Sequence, residues 1–241
     1  MGILNFVKPD KIVLQKATEF EAIFEFRPLE PGYGVTIGNS LRRVLLNSLE
    51  GYAIIGINIA GADHEFATLK GITEDVTEII LNLKQVRIKK KVEHEVNVEK
   101  VTLSIKNKTE FTAGMIAEAS PTFEIMNPEL LICTMDSSAK LDIEITIGKG
   151  RGYVPAEENK EKNSHFGYIP VDAIYTPIKN VKYAIENTRV EQRTDFEKLI
   201  MEVVTDGTIH PEDAVKQASR ILIQHLMIIT DENITFDTKE D

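Results

Sequence analysis

The stretch PLEPGYGVTIGNSLRRVLL, residues 28–46, decides how this chain is read. It opens on turn chemistry, with two prolines and two glycines in Pro28-Leu29-Glu30-Pro31-Gly32-Tyr33-Gly34. After the turn, Ile37, Leu41, Val44, Leu45 and Leu49 recur at spacings of four, three, one and four, which is one face of a helix. A helix of about 14–16 residues is predicted, with Gly51 as its left-handed C-cap. Upstream, Phe20, Ala22, Phe24 and Phe26 alternate with Glu19, Glu21 and Glu25, the pattern of a half-buried strand. Strand, glycine turn and helix in that order superficially suggest a dinucleotide-binding turn. The spacing of Gly32, Gly34 and Gly38 departs from GxGxxG, however, and the two prolines lengthen a connection that such a motif keeps short. The ordinary reading is that the glycines shape the turn and that Gly38 admits another backbone against the helix. A stand-alone nucleotide-binding enzyme using Gly32–Gly38 is the alternative.

Working outward, Ala53, Ile55, Ile57 and Ile59 alternate as a strand, and Ile72, Val76, Ile79, Ile80 and Leu83 mark a shorter helix. Thr73 is its candidate N-cap, and Glu74 and Asp75 lie where the helix dipole favours negative charge. Residues 85–147 return to strand patterns, clearest at Val101/Leu103/Ile105 and at Leu141/Ile143/Ile145/Ile147, with Asp142, Glu144 and Thr146 expected to face water. Residues 148–167, rich in glycine and charge, read as a long loop. Strands resume at Val181/Tyr183/Ile185 and Leu199/Met201/Val203. A last helix starts at Pro211, which is tolerated in a first turn, continues through Glu212 and Asp213, and runs to about Ile229. Its second half, with Ile221, Leu222, Ile223, Leu226, Met227, Ile228 and Ile229, is apolar nearly all round. Burying that circumference requires a second partner, either more core or another chain.

The 241 residues carry 38 Asp+Glu against 28 Lys+Arg, a formal charge of −10 and a pI near 5.1. A free-standing nucleic-acid binder is disfavoured, because such proteins draw affinity from Lys and Arg on phosphates. With 42% hydrophobic residues, a chain of this length buries roughly 70–75% of its unfolded surface, as one large domain or two small ones. The one cysteine, Cys133, allows no internal disulfide and fits a reducing compartment, so the cytoplasm is expected. The N-terminal residues do not read as a signal peptide, and no stretch approaches the ~18–20 apolar residues of a membrane span. The last twelve residues hold five acidic groups against Lys239 alone and are expected to be disordered.

Catalytic candidates are few. His64-Glu65 begins an H-E-x-x-H motif, but position 68 is Thr and the other histidines are scattered, so no metal site is expected. Gly148-Lys149-Gly150-Arg151-Gly152 is followed by no helix start and makes no phosphate loop. Cys133 follows Leu131 and Ile132, as a buried, inert thiol would. No Asp cluster suited to magnesium stands outside the acidic tail. Two basic features remain. Arg42 and Arg43 are ordinarily a solvated helix face, but their planar guanidinium forks could dock a protein partner. Lys84, Arg87, Lys89, Lys90 and Lys91 read as a lysine-protected sheet edge or, less simply, as a nucleic-acid contact.

Four ordered blocks closely resemble the bacterial RNA polymerase alpha subunit: residues 28–46, with Leu41-Arg42-Arg43-Val44-Leu45-Leu46; residues 64–84, with Glu74-Asp75-Val76 and Leu81-Asn82-Leu83-Lys84; Gly150-Arg151-Gly152-Tyr153-Val154-Pro155-Ala156; and Val190-Glu191-Gln192-Arg193-Thr194-Asp195. The final helix after Gly207-Thr208-Ile209-His210-Pro211 extends the likeness to about residue 229. The resemblance implies an α+β fold in which a discontinuous, sandwich-like dimerisation domain, 1–51 with 176–231, carries an inserted, mostly β domain at 52–175, followed by the acidic tail, 232–241. It implies a non-catalytic subunit of a DNA-directed RNA polymerase, a nucleotidyltransferase, found in the cytoplasm and nucleoid. Its partners would be a second copy of itself, then beta and beta-prime.

On the same resemblance, Ile37, Leu41, Val44, Leu45, Leu222, Leu226 and Ile229 belong to the dimer interface, and Arg42 and Arg43 contact beta. Lys84 and Val171, in Val171-Asp172-Ala173, match regions that contact beta-prime, and Arg151 and Tyr153 would face a large subunit. No cofactor is expected in this chain, since the magnesium of nucleotidyl transfer belongs to beta-prime. Family members usually continue through a flexible linker into a small domain that binds promoter DNA, whereas this sequence stops at Asp241. A cut in the linker is expected rather than a natural short form, and no direct DNA contact is carried over. His210 also departs from the acidic N-cap that the family often has, and is expected to cap less well at neutral pH.

Overall fold

Alternating strands and two long amphipathic helices assemble into an α+β protein. The computed structural model describes residues 11–160, 167–190 and 193–229, so the acidic tail, the N-terminal stretch, residues 161–166 near the end of the expected 148–167 loop and Glu191-Gln192 of the fourth family block lie outside the described residues. In chain order the elements are β1 (Lys11–Ala17), β2 (Glu21–Leu29), α1 (Tyr33–Asn47), β3 (Glu50–Ile59), α2 (Val76–Leu83), β4 (Ile88–Lys90), β5 (Val98–Lys106), β6 (Glu110–Thr112), α3 (Gly114–Ala119), β7 (Phe123–Ile125), β8 (Leu131–Thr134), β9 (Lys140–Arg151), β10 (Tyr153–Val154), β11 (Tyr168–Pro170), β12 (Ala173–Ile174), β13 (Ile178–Val190), β14 (Arg193–Thr205) and α4 (Pro211–Met227). The described residues divide into two units. One holds those up to Leu49, Ile178–Thr205 and those from His210 onward; the other holds Glu50–Pro177 and Asp206–Ile209. Against the expected limits at 51/52 and 175/176, the junctions lie at Leu49/Glu50 and Pro177/Ile178, and the short return 206–209 goes with the insert.

The first unit is built on an antiparallel sheet of order β1-β2-β14-β13. Its register puts Met201 opposite Phe24 and Val203 opposite Ala22, and all four are buried. Helices α1 and α4 pack on this sheet and on each other, adding Leu41, Leu45, Ala214, Val215 and Ala218 to the core. Two expectations change here. Glu25 is buried and paired with Arg27 Nε at 2.6 Å, because β2 is an inner strand flanked on both sides. Gly51 does not cap α1: the helix ends at Asn47, with Ser48 N–H on the Val44 carbonyl at 2.8 Å. Gly51 lies inside β3, where a Cβ would overlap the Tyr175 carbonyl oxygen.

The second unit is a six-stranded sheet running β5-β9-β3-β4-β7, with β11 also paired to β3. Long registers of β3 and β5 on β9 bury Ile57, Ile143, Ile145 and Ile147, and Ile79 and Leu83 of α2 close the same core. The N-cap of α2 is Asp75, not Thr73: Asp75 Oδ1 accepts from Glu78 N–H at 2.8 Å, and Glu78 Oε2 accepts from Asp75 N–H at 3.2 Å. Thr73 instead donates its N–H to the Thr134 carbonyl. Thr146 is buried rather than wet, because it sits opposite Gly56 at the bulge of β3, where the Tyr168 hydroxyl fills the place of a missing side chain. Nor is the whole of 148–167 a loop: β9 runs on to Arg151, and β10 pairs with β12.

Candidate functional site

The glycine turn and helix α1 form the first candidate site. Gly32 has a φ of 86°, which favours glycine, and starts the helix without a side-chain cap of its own. The orphan N–H groups of Gly32 and Gly34 point instead at Glu197 of β14 and donate to its two carboxylate oxygens at 2.9 and 2.8 Å. An anion already occupies the helix N-terminus, so the place where a nucleotide phosphate would sit belongs to the protein's own carboxylate. This geometry counts against the nucleotide-binding alternative. One turn apart, Gly34 and Gly38 press the helix on the sheet: a Cβ at Gly34 would come within 2.7 Å of Glu197 Oε2, and one at Gly38 within 2.9 Å of Leu199 Cδ1 and Tyr183 Cδ2.

This seat divides the residues expected at the dimer interface. Leu41 and Leu45 are buried in the first unit's own core, which corrects their expected role, because neither retains a surface for another chain. Ile37, Val44 and Leu222 are half-buried and keep one. On α4, His210 Nδ1 accepts from Glu212 N–H at 3.4 Å, so the histidine does serve as the N-cap. The N-terminal half of α4 buries Ala214, Val215 and Ala218, whereas Leu226 is 58% and Ile229 77% exposed. The adjacent arginines also part company. Arg42 Nε donates to the Val181 carbonyl at 3.0 Å and ties the helix to β13. Arg43 is exposed and makes no hydrogen bond or ion pair among the described residues.

In the second unit, Lys84 pairs with Asp172 at 2.6 Å. Val171, expected to touch a partner, is 1% exposed, which corrects that expectation. Its N–H donates to the Ile55 carbonyl, and its carbonyl accepts Asn159 Nδ2, both at 2.8 Å. The basic run is not a sheet edge, since β4 lies between β3 and β7. Within that run, Arg87 stands 3.9 Å from Asp206, and Lys90 Nζ donates to the His94 carbonyl.

Arg151 Nη2 and Lys149 Nζ take the two oxygens of Glu50, at 2.6 and 2.8 Å. Lys149 first, then Arg151, hold the Glu50 carboxyl below the usual carboxylate range, and Glu50 in turn raises Lys149. Burial, helped by the Glu74 charge, pushes the Cys133 thiol up to about 12 and leaves it unreactive. Among the described residues no group of three His, Cys, Asp or Glu could hold a metal ion, and no helix is long and apolar enough to cross a membrane. Sequence reasoning missed Glu197 and Asn159. Each works through a partner more than ten residues away in the chain, and no local periodicity reports that.

A sequence model of the RNA polymerase Rpb3/RpoA insert domain matches residues 57–176. The chain is 62% identical over 237 residues to the DNA-directed RNA polymerase subunit alpha of Cytophaga hutchinsonii, covering 98% of this chain and 71% of that one. It is 56% identical over 240 residues to the subunit of the same name from Flavobacterium psychrophilum, covering 100% and 72%. With Prosthecochloris aestuarii the figures are 49% over 228 residues, covering 94% and 69%.

Proposed function

The chain belongs to the family of DNA-directed RNA polymerase alpha subunits, and from that premise we propose that it is a homodimeric scaffold that recruits beta and then beta-prime. It is a subunit of a nucleotidyltransferase engaged in DNA-templated RNA synthesis, and is not itself the catalyst. Its working place is the cytoplasm and nucleoid, and the magnesium of the reaction belongs to beta-prime.

The observation that carries the scaffold reading is the exposed apolar end of α4, on a unit whose other long helix seats Gly34, Gly38, Leu41 and Leu45 against its own core. A monomer rarely leaves contiguous large aliphatic groups in water on an ordered helix. A second copy would cover them, together with the half-buried Ile37, Val44 and Leu222. Arg43 is the residue offered to beta, since its guanidinium is uncommitted where that of Arg42 is tied to Val181. Lys84, through its pair with Asp172, holds the segment that faces beta-prime, and the Arg151–Tyr153 stretch faces a large subunit.

Light scattering of the purified chain, then of its mixtures with beta and with beta-prime, tests the reading. A dimer that gains the mass of beta and afterwards of beta-prime is expected; a monomer, or a dimer that binds neither, overturns it. Arg43→Ala is expected to dimerise as before and to lose beta in a pull-down. Undiminished recruitment returns Arg43 to a solvated helix face.

A further inference from the structure

The sheet of the insert ends on β5, which is bonded to β9 on one side and to no described strand on the other. The register fixes which of its backbone groups look outward. In an antiparallel pair every second residue bonds its neighbour. One step beyond the Val98–Gly148 pair, Lys149 donates its N–H to the Asn97 carbonyl at 2.9 Å, so Glu99, Val101, Leu103 and Ile105 continue that set towards β9. Lys100, Thr102, Ser104 and Lys106 therefore aim their N–H and C=O groups away from it. Among the described residues nothing takes those of Thr102, Ser104 and Lys106.

A groove of about 330 Å³ runs along this edge. Residues 102–106 line it in unbroken succession. Alternate side chains of a strand point to opposite faces, so consecutive residues can share one groove only from the strand's edge. Met115 and Ala119 of α3 stand on the other wall. Met115 packs on the insert's core, and Ser120 Oγ, just past the helix, donates to Glu99 Oε1 at 2.7 Å, which ties α3 to the start of β5.

Charge selects the occupant. The ionised groups of the groove are Lys106, Lys108 and Glu118, two cations against one anion on a chain whose formal charge is −10. Lys100 is taken by Glu144 and Lys140 by Asp142, whereas Lys106 and Lys108 are exposed and form no ion pair among the described residues. Lys106 also stands directly opposite Lys140, a like-charge pair that a carboxylate alongside would relieve. Lysines commonly guard an open edge against pairing. The same two lysines admit a strand that brings carboxylates. A second copy of β5 would bring lysines instead, and the segments assigned to beta and beta-prime, around Arg43, Lys84, Val171 and Arg151, include neither β5 nor α3.

We propose that the outer edge of β5, over residues 102–106, accepts an acidic extended segment of a further protein, neither beta nor beta-prime, as an antiparallel strand whose carboxylates meet Lys106 and Lys108. Apolar side chains alternating with the carboxylates lie on Met115 and Ala119. The proposal goes beyond the scaffold reading and does not rest on it.

The probe is an acetylated, amidated heptapeptide of alternating aspartate and valine, with binding to the purified chain followed by calorimetry. Residues directly opposite in an antiparallel pair carry their side chains on one face, so the aspartates, beside Lys106, are the residues that bond β5. N-methylation of the aspartates is expected to weaken binding by roughly tenfold or more, while N-methylation of the valines, whose N–H groups face away, stays within about twofold. The peptide with lysine in place of aspartate is expected to bind roughly tenfold more weakly than the first. Lys106→Glu combined with Lys108→Glu reverses that preference. Thr102→Pro, which removes only an outward N–H, abolishes binding with an unchanged circular dichroism spectrum; the methylated peptides test the same bonds on the unaltered chain.

No binding at millimolar peptide leaves the lysines as guards of the edge and overturns the proposal, as does equal binding of the two methylated peptides. Binding that is lost in the polymerase reassembled with beta and beta-prime also overturns it, by making a large subunit the occupant. Binding gained only on removal of residues 230–241 does the same in favour of the chain's own acidic tail. Methylation-sensitive binding retained in both the purified chain and the polymerase supports it.

Discussion

The insert and the discontinuous unit close their cores in different ways. In the insert, Phe111, Phe123, Ile79 and Ile132 are at most 1% exposed, and helices α2 and α3 with the short strands take up the apolar surface of the six-stranded sheet from within the chain. In the discontinuous unit one helix is divided: α4 buries Ala214, Val215 and Ala218 and then carries Ile223 and Leu226 into water, followed by the exposed Ile228 and Ile229 just past its end. Hydrophobicity therefore does not distinguish core from exposed surface. Beyond Ala218, Ile221, Leu222 and Met227 are half-buried, and Ile223 and Leu226 are exposed.

Deleting a large apolar group in each place tests this contrast. Phe111→Ala in the insert is expected to cost about 3–5 kcal/mol, from lost transfer energy and the cavity left behind. Urea midpoints should fall by the same amount at any protein concentration. Leu226→Asp is expected to weaken self-association at least 100-fold, about 2.7 kcal/mol, because a carboxylate would be buried unpaired against the other copy. The secondary structure of the separated chain should be unchanged. A fully dimeric variant in light scattering, or an unfolded one by circular dichroism, would erase the contrast.

A smaller effect is expected where the two long helices of the first unit differ at their N-termini. Helix α4 has its own cap in His210, while α1 borrows Glu197 from β14. Glu197→Ala should cost about 1–2 kcal/mol, the worth of a lost charged cap, with Glu197→Gln in between. Unfolding in urea measures both, and no loss on Glu197→Ala would mean that the glycine turn holds without its anion.

Local periodicity made much of this legible. Ile37, Leu41, Val44 and Leu45 marked α1, and Leu141, Ile143, Ile145 and Ile147 marked β9, because each pattern repeats along several turns or pleats. The same reasoning failed where a distant residue decides. Gly51 looked like a helix stop by position, yet it is glycine because the Tyr175 backbone crosses it. Thr146 fitted the water-facing set of its strand, but Gly56 and Tyr168 cover that spot. Thr73 and Asp75 are both good caps, and the reciprocal bond with Glu78 selects the second.

For the candidate site, family blocks single out segments, and burial then separates the side chains within them. Val171, Leu41 and Leu45 are buried in their own units, and Arg42 is a tie to the sheet. Their neighbours Ile174 and Arg43 are exposed instead. The elements β6, α3, β10 and β12 are too short to complete a recognisable period.

The pairing of β2 with β14 also sets a timetable for synthesis. β2 leaves the ribosome early, and β14, which fills its second edge, follows only after the whole insert has been made. At roughly 5–20 residues per second, that wait lasts on the order of ten to thirty seconds. By its end the insert, Glu50–Pro177, is complete in sequence except for the short return 206–209. The nascent β1–β2 hairpin meanwhile carries an open edge whose Phe24 and Phe26 have no β14 to cover them. The inserted unit thus sets the interval over which the other unit must be kept from pairing with a neighbouring chain.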